Sequence, residues 1–136
     1  MNIFIDTAAF LAILNANDRF HPAARQSWEG MLHSDFVLFS SNYVILETTA
    51  LLQHHFGIEA VRLFESNILP VLEVHWIDEV IHKQAMSALL AANRRNLSLV
   101  DCTSFEIMRQ FGIGKAFTFD PHFREQGFGI EENECQ

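Results

Sequence analysis

The chain has 136 residues, of which 49% are hydrophobic and 13 are Phe, so it can bury a sizeable core and is too rich in aromatic residues for a disordered chain. Its formal net charge of -8 argues against broad attraction to nucleic acid, although bound divalent cations can reverse the charge locally in a nucleic-acid enzyme. The two cysteines, Cys102 and Cys135, do not suggest a disulfide framework. The sequence shows no signal-peptide pattern and no apolar run of about 20 residues. We therefore expect a soluble, cytoplasmic protein without a membrane span.

Predicted strands and helices alternate along the chain, without a repeat or linker, so we expect a single domain over residues 1–136. Short apolar runs favour strands, and apolar residues at spacings of three and four favour helices. The predicted elements, in chain order, are a strand at 2–6, a helix at 7–15, a helix at about 20–32, a strand at 36–39, a helix capped within 40–42 and ending near Gly57, a helix at 58–68 closed by Pro70, a strand at 72–77, a long helix capped by Asp78, a helix at about 99–111, a strand at 115–119 and a short edge strand at 128–130.

The predicted strands are apolar throughout, rather than alternating between apolar and polar residues. This pattern is typical of a mostly parallel sheet covered by helices on both faces, which is an α/β fold. In open sheets of this kind, ligands bind outside the carboxyl ends of the strands. Asp6 and Asp120 each follow directly on an apolar strand, so we expect a site at that edge of the sheet.

Two further carboxylates interrupt apolar stretches: Glu47 at the margin of a helical apolar stripe, and Asp101 in the first turn of its helix. Buried carboxylates that lie close together repel one another, and a divalent metal ion relieves that repulsion. Oxygen ligands suit Mg²⁺ or Mn²⁺. Such an ion can hold a phosphodiester, lower the pKa of a water molecule and stabilise charge on the attacking and leaving oxygens. With Asp6 and Asp120, these residues are the candidate metal ligands and catalytic groups.

Each of the four acids also has a structural interpretation. Asp6 and Asp101 both stand where a carboxylate stabilises a helix N-terminus. Asp120 precedes Pro121, which is a common way to begin a turn. Glu47 could pair with a basic residue. Spacing alone does not show that the four side chains meet in space, but their ordered placement in an α/β pattern favours a common site.

Four segments that contain these acids resemble the motifs of the PIN domain family, and in particular its VapC-like toxins of bacterial and archaeal toxin–antitoxin pairs. Together they extend over nearly the whole chain and match the four acidic positions of the family in order. The segments are I-F-I-D-T near the start, Y-V-I-L-E-T-T-A-L-L in the middle, L-S-L-V-D-C-T-S-F, and F-T-F-D-P-H-F near the end.

The resemblance implies a parallel sheet sandwiched by helices and metal-dependent cleavage of RNA, usually with Mg²⁺ or Mn²⁺. It also implies a small antitoxin protein as partner, whose tail occupies the active-site groove, and a homodimer. Carried over to this sequence, it assigns catalysis and metal binding to the four acids, and supporting roles to nearby hydroxyl residues. The acids are Asp6, Glu47, Asp101 and Asp120, and the hydroxyl residues are Thr7, Thr103 and Ser104.

Three residues near these motifs are candidates for contact with RNA. Arg94 and Arg95 can bind phosphates, or they can complement the C-terminus of the preceding helix. His122 can contact a phosphate, although a histidine in a loop, packed beside Phe123, is the more frequent arrangement. The sequence leaves both interpretations open for each residue.

Alternative functions are a PIN nuclease that processes RNA without acting as a toxin, and a non-catalytic module that binds RNA or protein. The complete set of acids argues against the second. A phosphatase related to the haloacid dehalogenases would need a second Asp two residues after Asp6, where this chain has Ala8. No glycine-rich loop follows a predicted strand, which argues against nucleotide binding of the P-loop or Rossmann type.

Overall fold

A computed structural model describes residues 1–131, and its centre is a single sheet of five strands in the order β3-β2-β1-β4-β5. All four strand pairs are parallel, and Ile3 of the central strand lies opposite Leu38 on one side and Lys115 on the other. The predicted parallel α/β fold is therefore confirmed. The strands are β1 (Asn2–Ile5), β2 (Val37–Ser41), β3 (Glu73–His75), β4 (Lys115–Phe117) and β5 (Gly129–Ile130).

Helices cover the sheet on both faces. Successive side chains of a strand point to opposite faces, and Ile3, Phe4 and Ile5 are all fully buried. Among the helices, α1 packs on α2 and α3, while α6 packs on α3 and α5. The helices are α1 (Thr7–Leu14), α2 (His21–Leu32), α3 (Asn42–Phe56), α4 (Ile58–Leu63), α5 (Glu79–Ala92), α6 (Leu99–Gln110) and α7 (His122–Glu125).

The strand boundaries differ from the predicted ones because neighbouring strands limit one another. The last residue of β4, Phe117, pairs with Ile5, where β1 ends, so the predicted extension to residue 119 has no partner strand. In β2, the buried hydroxyl of Ser40 donates to the carbonyl of Ile5 at 3.0 Å. This bond lets a polar residue continue a buried strand beyond Phe39, the last residue of the predicted strand.

Helix boundaries follow the predicted capping residues. Ser41 caps α3 through its hydroxyl, and Asp78 caps α5 by accepting a hydrogen bond from the amide of Ile81 at 3.0 Å. Gly57 ends α3 with φ of 87°, a conformation that side chains rarely adopt.

Two helical predictions were wrong in detail. The helix predicted at 58–68 is regular only over α4 and continues as a π-helical turn at Phe64–Ile68. Pro70 does not close it but lies within a following 3₁₀ turn, Leu69–Val71, where its missing N–H costs no helical hydrogen bond. The short helix α7 was not predicted, because four residues are too few to show an apolar period.

No helix within residues 1–131 is long and apolar enough to cross a membrane. Cys102 is a buried free thiol, and burial raises its pKa. Cys135, the second cysteine, lies outside the described residues.

Candidate active site

Asp6 and Asp120 lie at the carboxyl ends of neighbouring strands, as predicted, and Thr118 links them. The chain after β1 remains beside β4, since the amide of Asp6 donates to the carbonyl of Phe117 at 3.2 Å. The hydroxyl of Thr118 donates to Asp6 Oδ2 at 3.1 Å and accepts from the amide of Asp120 at 3.0 Å. One hydroxyl thus fixes the carboxylate that follows β1 and the backbone segment that follows β4.

Asp101 has both its structural role and a place in the site. Its Oδ2 accepts a hydrogen bond from the amide of Ser98 at 3.0 Å, and the hydroxyl of Ser98 accepts one from the amide of Asp101. This capping box fixes the first turn of α6 and with it the Asp101 carboxylate. Oδ2 accepts the one bond from Ser98 and no hydrogen bond within residues 1–131 reaches Oδ1, so both oxygens keep lone pairs for a ligand.

The three aspartates are close enough to affect one another's ionisation. Burial raises the pKa of Asp6 from 3.8 to about 7, and the negative charges of Asp101 and Asp120 act in the same direction. Hydrogen bonds to Asp6, including that from Thr118, oppose this rise only in part. Burial also raises the pKa of Asp101, with a further contribution from Asp120. Their mutual repulsion is the condition that a divalent cation relieves.

Helix capping alone does not explain why a carboxylate stands at position 6. It stands at the N-cap position of α1, but its carboxylate makes no capping hydrogen bond. Only 4% of the residue is exposed, so the burial of this carboxylate is costly without a cation. The structural interpretation of Asp6 therefore does not account for its position.

His122 lies in a short helix beside the acidic cluster, not in the predicted loop. It begins α7 and is only 8% exposed, while Phe123 beside it is fully buried. Its Nδ1 lies 3.0 Å from Asp120 Oδ1 and 3.7 Å from Asp101 Oδ2, but forms no hydrogen bond within the described residues. Ligand atoms from these three residues lie within 4.8 Å of one another, which fits a bound metal ion. The loop predicted for His122 was wrong, because α7 turns the ring inward.

Glu47 is half-buried on α3, and its side chain forms no hydrogen bond or ion pair within residues 1–131. The basic partner of its structural interpretation is therefore absent from this part of the chain. The helix is fixed to the site through the residue after Asp6: the hydroxyl of Thr48 donates to that of Thr7 at 3.1 Å. This contact places Thr48, the residue after Glu47, beside Thr7, the residue after Asp6. The catalytic role of Glu47 stays a prediction.

The predicted hydroxyl residues donate hydrogen bonds to backbone carbonyls, Thr7 to a neighbouring helix and the other two within their own helix. Thr7 donates to the carbonyl of Val44 at 3.5 Å, a weak contact that still joins α1 to α3. Thr103 and Ser104 both donate to the carbonyl of Val100, one turn earlier in α6. Each hydroxyl oxygen keeps a free lone pair, and the supporting roles of these residues stay predictions.

The two arginines predicted to bind RNA differ in their contacts. Arg94 forms an ion pair with Glu125 of α7 at 3.0 Å, which joins the loop before α6 to the helix that carries His122. Arg95 is exposed and has no partner within residues 1–131. Of the two, Arg95 has the free guanidinium group.

Sequence reasoning missed Thr118. The sequence offered one indication, a hydroxyl residue between two phenylalanines at a strand end, two positions before Asp120. That indication is weak, because its meaning depends on which strand lies beside β4. The contribution of His122 to the cluster depends likewise on a helix too short to predict.

Comparison with known proteins identifies the family of the chain. The model of the PIN domain family matches residues 3–129. VapC20 of Mycobacterium tuberculosis, a 23S rRNA-specific endonuclease, is 35% identical over 127 residues, covering 93% of this chain and 95% of the relative. The crystal structure of that VapC20, a toxin that cleaves the sarcin-ricin loop, superimposes with a TM-score of 0.85 and 33% identity, covering 96% of this chain and 99% of the other. FitAcB from Neisseria gonorrhoeae, with a TM-score of 0.67, 16% identity and 96% coverage of each chain, supports the fold alone. The chain therefore belongs to the PIN domain family and is one of its VapC-like members.

Proposed function

We propose that the protein is an endoribonuclease that cleaves RNA phosphodiester bonds with Mg²⁺ or Mn²⁺, and that it acts as the toxin of a toxin–antitoxin pair. The observation that carries this proposal is the convergence of three aspartates at the carboxyl edge of the sheet, two of them buried and with raised pKa values. Such a cluster is costly unless it serves to bind a cation. Similarity to a ribosomal RNA endonuclease over nearly the whole chain supports the reaction class.

The donor groups fit a divalent cation. Asp6, Asp101 and Asp120 supply hard carboxylate oxygens, and Glu47 is the fourth acid of the proposed set. A cation bound there stabilises negative charge on the phosphate and lowers the pKa of a water molecule. Because the pKa of Asp6 is about 7 without a cation, binding requires this carboxyl to release its proton.

The remaining residues of the site hold these carboxylates in place. Thr118 fixes one oxygen of Asp6, and Ser98 fixes one oxygen of Asp101, so each side chain has little freedom to rotate. Because β1 and β4 pair directly, Asp6 and Asp120 follow adjacent strands, and hydrogen bonds to Phe117 and Thr118 hold their backbones beyond the strand ends. Such preorganisation keeps the ligand atoms together without a change in the fold when the site is loaded.

We further propose 23S ribosomal RNA as the substrate, since VapC20 carries this specificity in its name and is similar over 95% of its length. The test is incubation of ribosomes and of total tRNA with the purified chain and Mn²⁺, followed by primer extension across the sarcin-ricin loop. Asp6→Asn removes one carboxylate of the site, and Asp35→Asn is a matched control at an exposed aspartate outside it. We expect one cut in 23S RNA from the native chain and from Asp35→Asn, and none from Asp6→Asn.

The outcomes separate the substrate from the reaction. Metal-dependent cleavage confined to tRNA would contradict the proposed substrate and retain the endoribonuclease. The absence of metal-dependent cleavage in both RNA preparations, or full cleavage by Asp6→Asn, would contradict the proposed reaction.

We also propose a small antitoxin as partner, a homodimer and a cytoplasmic location. Large apolar side chains on the surface support partner binding, because such residues are costly to expose in groups. Light scattering of the purified chain tests the dimer, which would give twice the monomer mass of 15.6 kDa. Large apolar side chains that are more than half exposed include Leu46, Leu63, Trp76, Val80 and Leu90.

A further inference from the structure

His122 has a buried ring nitrogen that faces two carboxylates without bonding to either. The residue is 8% exposed, and Nδ1 has no hydrogen-bond partner within the described residues. Most buried polar atoms in proteins are satisfied, so an unsatisfied one beside a proposed ion site requires an explanation. The inference that follows rests on the proposed metal-dependent function.

The distances around Nδ1 match those between ligands of one ion. Nδ1 lies 3.0 Å from Asp120 Oδ1 and 3.7 Å from Asp101 Oδ2. In octahedral coordination with bonds of about 2.1 Å, neighbouring ligand atoms lie about 3.0 Å apart and opposite ones about 4.2 Å apart. Both measured separations fall within these limits, and the ligand atoms of the three residues all lie within 4.8 Å of one another, an arrangement that one ion can draw together.

A direct hydrogen bond from the ring to Asp120 does not account for the arrangement. Although Nδ1 lies 3.0 Å from Asp120 Oδ1, the two atoms are not aligned for a hydrogen bond. The same oxygen already accepts a bond from the backbone amide of His122 at 2.9 Å. That backbone bond, and the burial of Phe123 against Phe105 with ring centroids 5.0 Å apart, hold the imidazole in this position.

We propose that Nδ1 of His122 is a ligand of the same divalent cation as Asp101 and Asp120, which makes the site a mixed nitrogen and oxygen centre. Imidazole nitrogen binds transition-metal ions better than it binds Mg²⁺, which prefers oxygen ligands. The protein should therefore prefer Mn²⁺ over Mg²⁺ more strongly than an all-carboxylate site would. This set differs from the oxygen-only set predicted from the sequence.

The direct test is pulsed electron paramagnetic resonance of Mn²⁺ bound to the full chain, labelled with ¹⁵N-histidine. A ligated imidazole couples its nitrogen to the Mn²⁺ spin, so we expect ¹⁵N modulation in the native protein and in His55→Asn, an exposed histidine on α3 that serves as control. We expect His122→Asn to lose that modulation. Bound Mn²⁺ without nitrogen modulation in the native protein would overturn the proposal, as would modulation that persists in His122→Asn.

Calorimetric titration gives a second readout. We expect His122→Asn to raise the Kd for Mn²⁺ by about tenfold or more, and the Kd for Mg²⁺ by a smaller factor. Equal changes for both ions would overturn the proposal, since a merely structural role of His122 would weaken both alike. Saturable binding of Mn²⁺ without nitrogen coupling refutes the ligand and leaves the proposed function intact, whereas failure of the native chain to bind Mn²⁺ refutes both.

Discussion

At the scale of single residues, Asp6 occupies a position that costs the fold free energy. Its carboxylate is buried beside two others and has a pKa of about 7 instead of 3.8. A carboxyl with a raised pKa binds protons more strongly in the folded state than in the unfolded state, so folding is weakened as pH rises. Without a bound cation, the folded protein is therefore less stable near and above neutral pH than at acidic pH.

The first prediction concerns the stability of the metal-free protein. In EDTA, the free energy of unfolding of the native chain should fall as pH rises from about 4 to about 7, because the folded state must give up a proton that the unfolded state has already lost. Asp6→Asn removes this loss and should stabilise the protein at pH 8 by as much as about 4 kcal/mol, the equivalent of the rise in pKa. Urea denaturation at pH 5 and pH 8 measures both effects.

Asp35→Asn, at an exposed position, is the control and should not change this pH dependence. A native chain whose stability in EDTA stays constant or rises between pH 5 and pH 8 would contradict the raised pKa of Asp6. So would an Asp6→Asn variant that is no more stable than the native chain at pH 8.

The second prediction concerns Thr118, whose hydroxyl joins Asp6 to the backbone of Asp120. Thr118→Val keeps the shape of the side chain and removes both hydrogen bonds. We expect a loss of about 1 kcal/mol in stability and a fall of about 10- to 100-fold in RNA cleavage, as for other residues that orient metal ligands. Ser34→Ala is the control, because it removes a hydroxyl that follows α2 and donates to the carbonyl of Met31, away from the proposed site. Cleavage by Thr118→Val at the rate of Ser34→Ala would show that Thr118 does not position Asp6.

Residue types and their order along the chain indicated four candidate acids, because a carboxylate within an apolar stretch is costly to bury. The structure brings three of them, Asp6, Asp101 and Asp120, close together. The partners of those acids could not be predicted in the same way. Thr118 and His122 gain their meaning from atoms on other elements, at distances that only the folded chain fixes.

At the scale of elements, the N-terminus of α6 combines a cap with a site residue. Ser98 and Asp101 satisfy each other's backbone amides, so the bonds that begin the helix also orient the carboxylate. Helix α5 begins with a comparable cap at Asp78, but carries none of the proposed site residues. The two helices therefore allow the stabilising and the positioning effects of a cap to be separated.

The third prediction compares Ser98→Ala with Asp78→Ala. Each substitution removes an N-cap and should lower the free energy of unfolding by about 1 kcal/mol. Only Ser98→Ala should also lower the affinity for Mn²⁺, by about tenfold, since Asp101 then loses part of its capping box. Urea denaturation and calorimetric titration provide the two readouts. An equal loss of Mn²⁺ affinity in both variants would mean that the cap acts only through overall stability.

The elements themselves were largely predictable, since each long strand has an apolar centre and several helices begin at a capping residue. Their boundaries were less so: the end of β4 depends on where β1 ends, and nothing near residues 118–119 marks that limit. Pairing between distant strands is a property of the sheet and cannot be read from one segment.

At the scale of the whole molecule, the chain has few cations with which to bind RNA. It has nine Lys and Arg residues against 17 Asp and Glu. Within residues 1–131, five of these cations form ion pairs with carboxylates. Because most cations are engaged in this way, each free guanidinium group should make a large contribution to RNA affinity.

The fourth prediction is that Arg95 contacts an RNA phosphate. In an Asp6→Asn background, which prevents cleavage, Arg95→Ala should weaken RNA binding and reduce the dependence of log K on log salt by about 0.7 to 0.9. Arg62→Ala is the control, because Arg62 pairs with Glu59 on α4 at 3.1 Å. Fluorescence anisotropy over a range of salt concentrations measures both. Identical salt dependence in the two variants would contradict a phosphate contact at Arg95.

If the acids at the carboxyl edge of the sheet form one metal-dependent centre for RNA cleavage, the loss of the metal ion or of one carboxylate must stop the reaction. The most direct test is single-turnover cleavage of ribosomal RNA by the native chain, Asp101→Asn and Asp35→Asn, measured in EDTA and across a titration of Mn²⁺. We expect no cleavage in EDTA, saturable cleavage with Mn²⁺ by the native chain and Asp35→Asn, and a loss of at least about 100-fold for Asp101→Asn. Cleavage that persists in EDTA, or that Asp101→Asn carries out at the native rate, would contradict a metal-dependent centre formed by these acids.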